Sequence, residues 1–300
     1  MLHITLDFTI TNMIKHTPIT KDVGSIVEGT FDELMALDDI ELRDLVYRRK
    51  ALVFKNIDVS ADQMAEFSKK FGRPWTADMY KNHTKEHFNV ANNGVAYTIY
   101  DDKSYPRLYK SLTWHCDIAN ERGLEPFPFR LLYCKELPTK MIGGSTDVAD
   151  LGIIRREWTE KDKHNINLDN LKFLYNSWQK NFTNQKWYPA LDKHPWTGEE
   201  FVRYNAFGND GAWILRTVID RKEGELRLTN EFMRELSTSQ IEATDFLEHK
   251  WEVGDVLVFD NWATIHRRGD MEILEGSEGR RSFVRISIDH EFDKMPPYQA

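Results

Sequence analysis

Apolar positions along the chain recur at two different periods. Between residues 31 and 49, Leu34, Leu37, Leu42, Leu45 and Val46 are spaced among acids and bases much as on an amphipathic helix, so a scaffold helix is expected there. Ala51-Leu52-Val53-Phe54 is an unbroken apolar run and reads as a short buried strand. Ser60 with Gln63 three residues on has the form of a capping box, and Met64, Phe67 and Phe71 give the helix it opens a buried stripe. Phe71-Gly72-Arg73-Pro74 ends that helix, because glycine tolerates the C-terminal turn and proline cannot continue it.

From residue 75 to 112 the chain is polar and rich in tyrosine (Tyr80, Tyr97, Tyr100, Tyr105, Tyr109), a pattern of loops and short strands. Arg130-Leu131-Leu132-Tyr133-Cys134 predicts a strand, and Gly143-Gly144 predicts a tight turn ahead of Ser145 and Thr146. Five tryptophans, Trp158, Trp178, Trp187, Trp196 and Trp213, fall within about 155–215 without a sustained period. That stretch is either an aromatic-rich insertion that closes over a pocket as a lid or an ordinary packed excursion. Within it, His194-Pro195-Trp196-Thr197-Gly198-Glu199 looks like a turn feeding a strand from Phe201 to Tyr204. A helix carrying Phe232, Met233 and Leu236 is expected next, then a Gly254-Asp255 turn and a buried strand from Val256 to Phe259. In a last strand, Arg281, Phe283 and Arg285 share one face and Ser282, Val284 and Ile286 the other. Two arginines on one strand face need an anionic partner if that face is buried.

Composition narrows the class. Three hundred residues, 41% hydrophobic and 29% charged, are ordinary for a soluble globular protein. No internal repeat or Gly/Ser linker divides the chain, so 1–300 is expected to form a single domain. A net charge of -8 offers no general attraction to nucleic acid or anionic membranes. The two cysteines, Cys116 and Cys134, are too few for a disulfide framework, and a reducing, cytoplasmic location is expected. The N-terminus lacks a basic region followed by an apolar one, and no apolar run reaches membrane-spanning length.

Candidate chemistry centres on His115-Cys116-Asp117. If residues 113–118 are extended, His115 and Asp117 face the same way and Cys116 the other. With His266 they would form the two-histidine, one-carboxylate set that suits non-haem Fe(II) and leaves coordination positions open. His-x-Asp by itself is a common triplet; the motifs around it carry the weight. In order they are Leu52-Val53-Phe54, Ser60 to Phe71-Gly72, Trp114-His115-Cys116-Asp117, Cys134-Lys135-Glu136-Leu137-Pro138 and Gly143-Gly144-Ser145-Thr146. His194-Pro195-x-Thr197-Gly198, Trp251-x-x-Gly254-Asp255, Asp260-Asn261, His266-Arg267 and Arg281-x-x-x-Arg285 complete the set.

From about Leu52 to Ile288 this ordered set resembles the taurine dioxygenase-like (TauD/TfdA) family of Fe(II)/2-oxoglutarate-dependent oxygenases. The resemblance implies a mainly β fold with flanking helices, a double-stranded β-helix of the jelly-roll or cupin type. It implies Fe(II) at His115, Asp117 and His266, and 2-oxoglutarate whose far carboxylate is gripped by Arg281 and helped by Thr146. Arg281-x-x-x-Arg285 keeps the family spacing, although His266 to Arg281 is long and leaves Arg280 as a competitor. Arg285 matches the residue that binds the sulfonate in the taurine enzyme. The implied reaction oxidises a C–H bond of a small, carboxylate- or sulfonate-bearing substrate with O2, by hydroxylation or by desaturation, and releases succinate and CO2. Asp117 retains the carboxylate that related halogenases replace. Val148 stands where the taurine enzyme has tryptophan, which argues against taurine itself. The competing class is a non-enzymatic jelly-roll protein that binds metal or ligand, and homo-oligomerisation stays open.

Overall fold

Two facing sheets carry the site, and the chain passes back and forth between them. The structure is a computed structural model that describes residues 14–83, 88–101, 112–117, 128–157, 168–175, 186–202, 216–221, 224–228 and 240–289. The larger sheet runs Thr17–Pro18, Ser25–Val27, Ala51–Phe54, Val256–Asp260, Phe129–Glu136, Ser282–Asp289, Ala96–Asp101, Asn89–Val90, with Arg73–Pro74 added beside Ser282–Asp289. The smaller runs Leu247–His249, Thr146–Asp150, Thr264–Arg268, Leu112–His115. Phe129–Glu136 (larger) leads to Thr146–Asp150 (smaller); later, Leu247–His249, Val256–Asp260, Thr264–Arg268 and Ser282–Asp289 alternate between the two. This winding is the expected jelly roll.

The larger sheet is apolar on both faces because both are covered. Leu52, Phe54, Leu131, Tyr133, Val256, Val258, Val284 and Ile286 face a helical layer that contributes Leu42, Val46, Met64, Phe67 and Phe71. Their neighbours Ala51, Val53, Cys134, Leu257, Phe259 and Phe283 face the smaller sheet and meet Val148, Leu247 and Trp251. Adjacent strand positions therefore belong to two different cores, and positions two apart to the same one.

Local signals explain the helices. Ser60 and Gln63 form the expected capping box at the start of Ala61–Ser68, and a short 3-10 turn, Lys69–Phe71, runs to Gly72. The single helix expected over 31–49 is instead two, Phe31–Met35 and Asp39–Arg49. The break comes at Asp38, whose extended backbone and side chain accepting from the N–H groups of Ile40 and Glu41 cap a new helix.

Much of the expected insertion lies outside the described residues, including Trp158, Trp178 and Trp213, as does the helix expected around Phe232, Met233 and Leu236. Leu171–Tyr175, Lys186–Pro189, Arg216–Arg221 and Gly224–Leu228 form a separate four-stranded sheet. Trp196 packs into the core, 5.3 Å from the ring of Tyr47. No helix among the described residues is long and apolar enough to cross a membrane.

The Gly254-Asp255 turn, which launches Val256–Asp260, is held by charge. Asp255 is buried, 2.9 Å from Lys55 Nζ and 3.2 Å from His249 Nε2, and it accepts the Glu252 N–H. Burial alone would raise its pKa, yet His249, Lys55 and that N–H hold it below the ordinary 3.8. Folding thus favours the ionised form, so its contribution is complete above the unfolded pKa and is lost as pH falls through the folded one. Asp255→Asn is expected to cost about 1–3 kcal/mol at pH 7. In urea titrations the gap from wild type should narrow below about pH 4; a gap independent of pH would place the effect in packing.

Candidate functional site

The smaller sheet brings the two distant histidines together. His115 ends its strand and pairs directly with His266 in the neighbouring strand, their ring centroids 4.3 Å apart. His266 faces the interior, 4.7 Å from the ring of Phe259 on the larger sheet, while Trp114 is buried and donates its indole N–H to Glu242. Asp117 lies two residues beyond His115, past the strand end, where no ladder hydrogen bond holds it. Asn261 does so instead: its Oδ1 accepts the Asp117 N–H at 3.0 Å and its Nδ2 donates to the Asp117 carbonyl at 2.7 Å. His115, Asp117 and His266 each offer one ligand atom, all within 4.8 Å of one another, a group able to hold a metal ion. His266 Nε2 stands 4.0 Å from Asp117 Oδ2, beyond hydrogen-bond reach and open to a shared cation.

The electrostatics suit that role. Burial, and then the neighbouring His115, push the His266 pKa well below the ordinary histidine value, so its imidazole is neutral at pH 7 and can offer a lone pair. Burial would raise the Asp117 pKa, but Arg130 above all, with Arg285, overcomes it and holds the carboxyl far below the usual range. Arg130 Nε donates to Asp117 Oδ2 at 2.6 Å. Arg285 faces the same interior and donates from Nε to Thr98 at 3.1 Å. Arg130 and Asn261 were not singled out from sequence as site residues. The available signal was an arginine inside the apolar run Phe129-Arg130-Leu131-Leu132, since a buried charge needs a partner.

Thr146, Trp251 and Arg281 make a second cluster. Thr146 opens its strand after Gly143 and Gly144, both in the left-handed region (φ 71° and 77°). A β-carbon on Gly143 would lie 2.0 Å from the Asp270 carbonyl oxygen, so this turn requires glycine. Trp251 Nε1 donates to Thr146 Oγ1 at 3.0 Å. Arg281, expected within the last strand, sits just before Ser282–Asp289; its guanidinium lies 4.1 Å over the Phe283 ring and donates to the Gly144 carbonyl at 3.3 Å. Arg280 turns outward and pairs with Glu136 at 3.2 Å. Arg267 stacks on Trp114 and pairs with Asp147 and Glu242 behind the sheet. Arg268 is buried, and burial pushes its pKa down to about 10.

Residues 15–287 match the family described as "Taurine catabolism dioxygenase TauD, TfdA family". Among solved structures, a candidate alpha-ketoglutarate-dependent taurine dioxygenase from Burkholderia xenovorans superposes with a TM-score of 0.67 at 17% identity, covering 93% of this chain and 90% of that one. A taurine dioxygenase from the same organism gives 0.66 at 18%, covering 93% and 92%. AAD-2 in complex with Mn(II) and N-oxalylglycine gives 0.63 at 16%, covering 92% and 97%. At these identities the likeness establishes the fold.

The Asn261 clamp generates a prediction. Asn261→Leu keeps the volume but frees the Asp117 backbone, and it is expected to weaken Mn(II) binding about 10-fold, by isothermal titration calorimetry of the metal-free protein. Unchanged affinity would show that the Asn261 amide is dispensable to Asp117.

Proposed function

We propose, from the premise that this chain belongs to the taurine catabolism dioxygenase TauD, TfdA family, that it oxidises a C–H bond of a small anionic substrate at a metal held by His115, Asp117 and His266. The chain is an Fe(II)- and 2-oxoglutarate-dependent dioxygenase. Iron(II) with 2-oxoglutarate and O2 supplies the oxidant, and succinate and CO2 are released. The observation that carries the ligand assignment is the convergence of two imidazoles and one carboxylate inside the jelly roll. The Mn(II) and N-oxalylglycine of AAD-2 accord with it, since N-oxalylglycine carries two carboxylates arranged as in 2-oxoglutarate.

Side chains divide the remaining work. Arg281, held over Phe283, offers a planar fork to the far carboxylate of 2-oxoglutarate. Trp251 donates to Thr146 Oγ1, which leaves the threonine's own hydroxyl proton to be donated to that carboxylate. Arg280, turned outward to Glu136, is the weaker choice for this grip. Arg285, steadied by Thr98, receives the carboxylate or sulfonate of the substrate and turns one C–H bond toward the metal. Hydroxylation is the outcome this arrangement serves, with desaturation as the other fate of the same C–H bond. The whole chain acts as one catalytic domain, in keeping with a family match that runs from 15 to 287.

Anaerobic addition of Fe(II) and then 2-oxoglutarate to metal-free protein is expected to produce a weak visible charge-transfer band that His266→Ala lacks. No band in the wild type would sink the keto acid site. In a substrate screen read by succinate release, Arg285→Ala is expected to raise KM for an anionic substrate about 10–100-fold, the loss of one charge-assisted hydrogen-bonded contact. Its 2-oxoglutarate affinity should match wild type; an unchanged KM would remove Arg285 from substrate binding.

A further inference from the structure

Arg130 lies outside the ligand and keto acid roles above, yet it is the second residue of a central strand and only 3% exposed. A buried guanidinium is costly unless its partners are well placed. Here Nε meets Asp117 Oδ2 at 2.6 Å, and Nη1 donates to the hydroxyl of Ser287, its register partner on the neighbouring strand. Asp117 itself sits beyond the end of its strand, with its backbone fixed by Asn261 and its carboxylate by Arg130.

We propose that Arg130 is a positioning residue for the metal carboxylate: fastened to Ser287, its guanidinium sets the rotation of the Asp117 side chain and so presents one carboxylate orientation to the ion. This rests on the reading of His115, Asp117 and His266 as the ligand set. Two effects of Arg130 oppose each other. Its charge repels an arriving dication, while its fork spares the carboxylate the entropic cost of being ordered when the metal binds. Arg130→Lys separates them, because lysine keeps the charge and loses the planar fork that spans Asp117 and Ser287.

The test is titration of Co(II) alone into the metal-free full-length protein, followed by visible absorption and calorimetry. Arg130→Lys is expected to bind about 10–100-fold more weakly than wild type, as for loss of other groups that orient metal ligands, with an altered Co(II) band envelope. Ser287→Ala, which keeps the ion pair but frees the far side of the guanidinium, should show a smaller loss in the same direction, about 3-fold or more. Folded Arg130→Lys with wild-type affinity and spectrum overturns the proposal. If Arg130→Lys does not fold, Ser287→Ala decides, and wild-type behaviour there overturns it equally. Failure of the wild type to bind Co(II) overturns the ligand set itself and this role with it, whereas equal binding by wild type and variants overturns only the role of Arg130.

Discussion

The register between Leu112–His115 and Thr264–Arg268 is the constraint on which the site depends. Side chains alternate along a strand, so a slip of one residue would turn His266 out of the sandwich and bring Arg267 in. The contacts on either side of this pairing oppose such a slip. Outside, Arg267 lies over Trp114 and pairs with Asp147 and Glu242. Inside, His266 packs on Phe259 and meets His115. Surface ion pairs alone would be weak determinants of register. The decisive term is that each alternative places a large aromatic or a guanidinium on the wrong face.

Charge inside a barrel is a second constraint, and at Asp117 the structure meets it with neighbouring charge. Asp117 lies among Arg130, Arg285 and two histidines, and its carboxyl is held ionised against the pull of burial. That carboxylate is compensated chiefly by Arg130 at 2.6 Å. The resulting interior is rich in positive charge, with Arg281 beyond Phe283 and Arg285 beside Thr98. That guanidinium charge is the electrostatic ground on which anionic occupants are proposed.

Features that follow from local rules were readable in the sequence. The Ser60–Gln63 cap, the Ala51–Phe54 strand and the paired glycines before Thr146 each depend on a few neighbouring residues. The break at Asp38 was hidden because the leucines continue in helical spacing across it, although Asp38-Asp39-x-Glu41 is itself an N-terminal signature. The face-sharing argument for His115 and Asp117 assumed an extended run over 113–118, but the strand ends at His115. His115 is the last strand residue, and Asp117 is held by Asn261, 144 positions along the chain, instead of by the pleat. Arg130 was illegible as a site residue for the same cause: both its partners come from other strands or their ends, and only the fold identifies them.

A buried polar network gives the Asp260-Asn261 pair its physical purpose. His194 Nδ1 accepts the N–H groups of Trp196 and Thr197, which leaves the imidazole proton on Nε2, facing Asp260 Oδ2 at 3.2 Å. Asp260 Oδ1 in turn accepts the N–H groups of Trp262 and Ala263, and its backbone N–H donates to the carbonyl of Lys50, whose ammonium pairs with Glu199. The bonds to Asp260 restrain the turn that follows Val256–Asp260, and Asn261 is the first residue of that turn. Because Asn261 grips Asp117 through two hydrogen bonds, displacement of the turn becomes displacement of the carboxylate. The His194-Pro195-x-Thr197-Gly198 turn and the Asp260-Asn261 pair, 66 residues apart from His194 to Asp260, thus act on one object. They restrain the backbone of Asp117, the proposed ligand that the sheet does not hold.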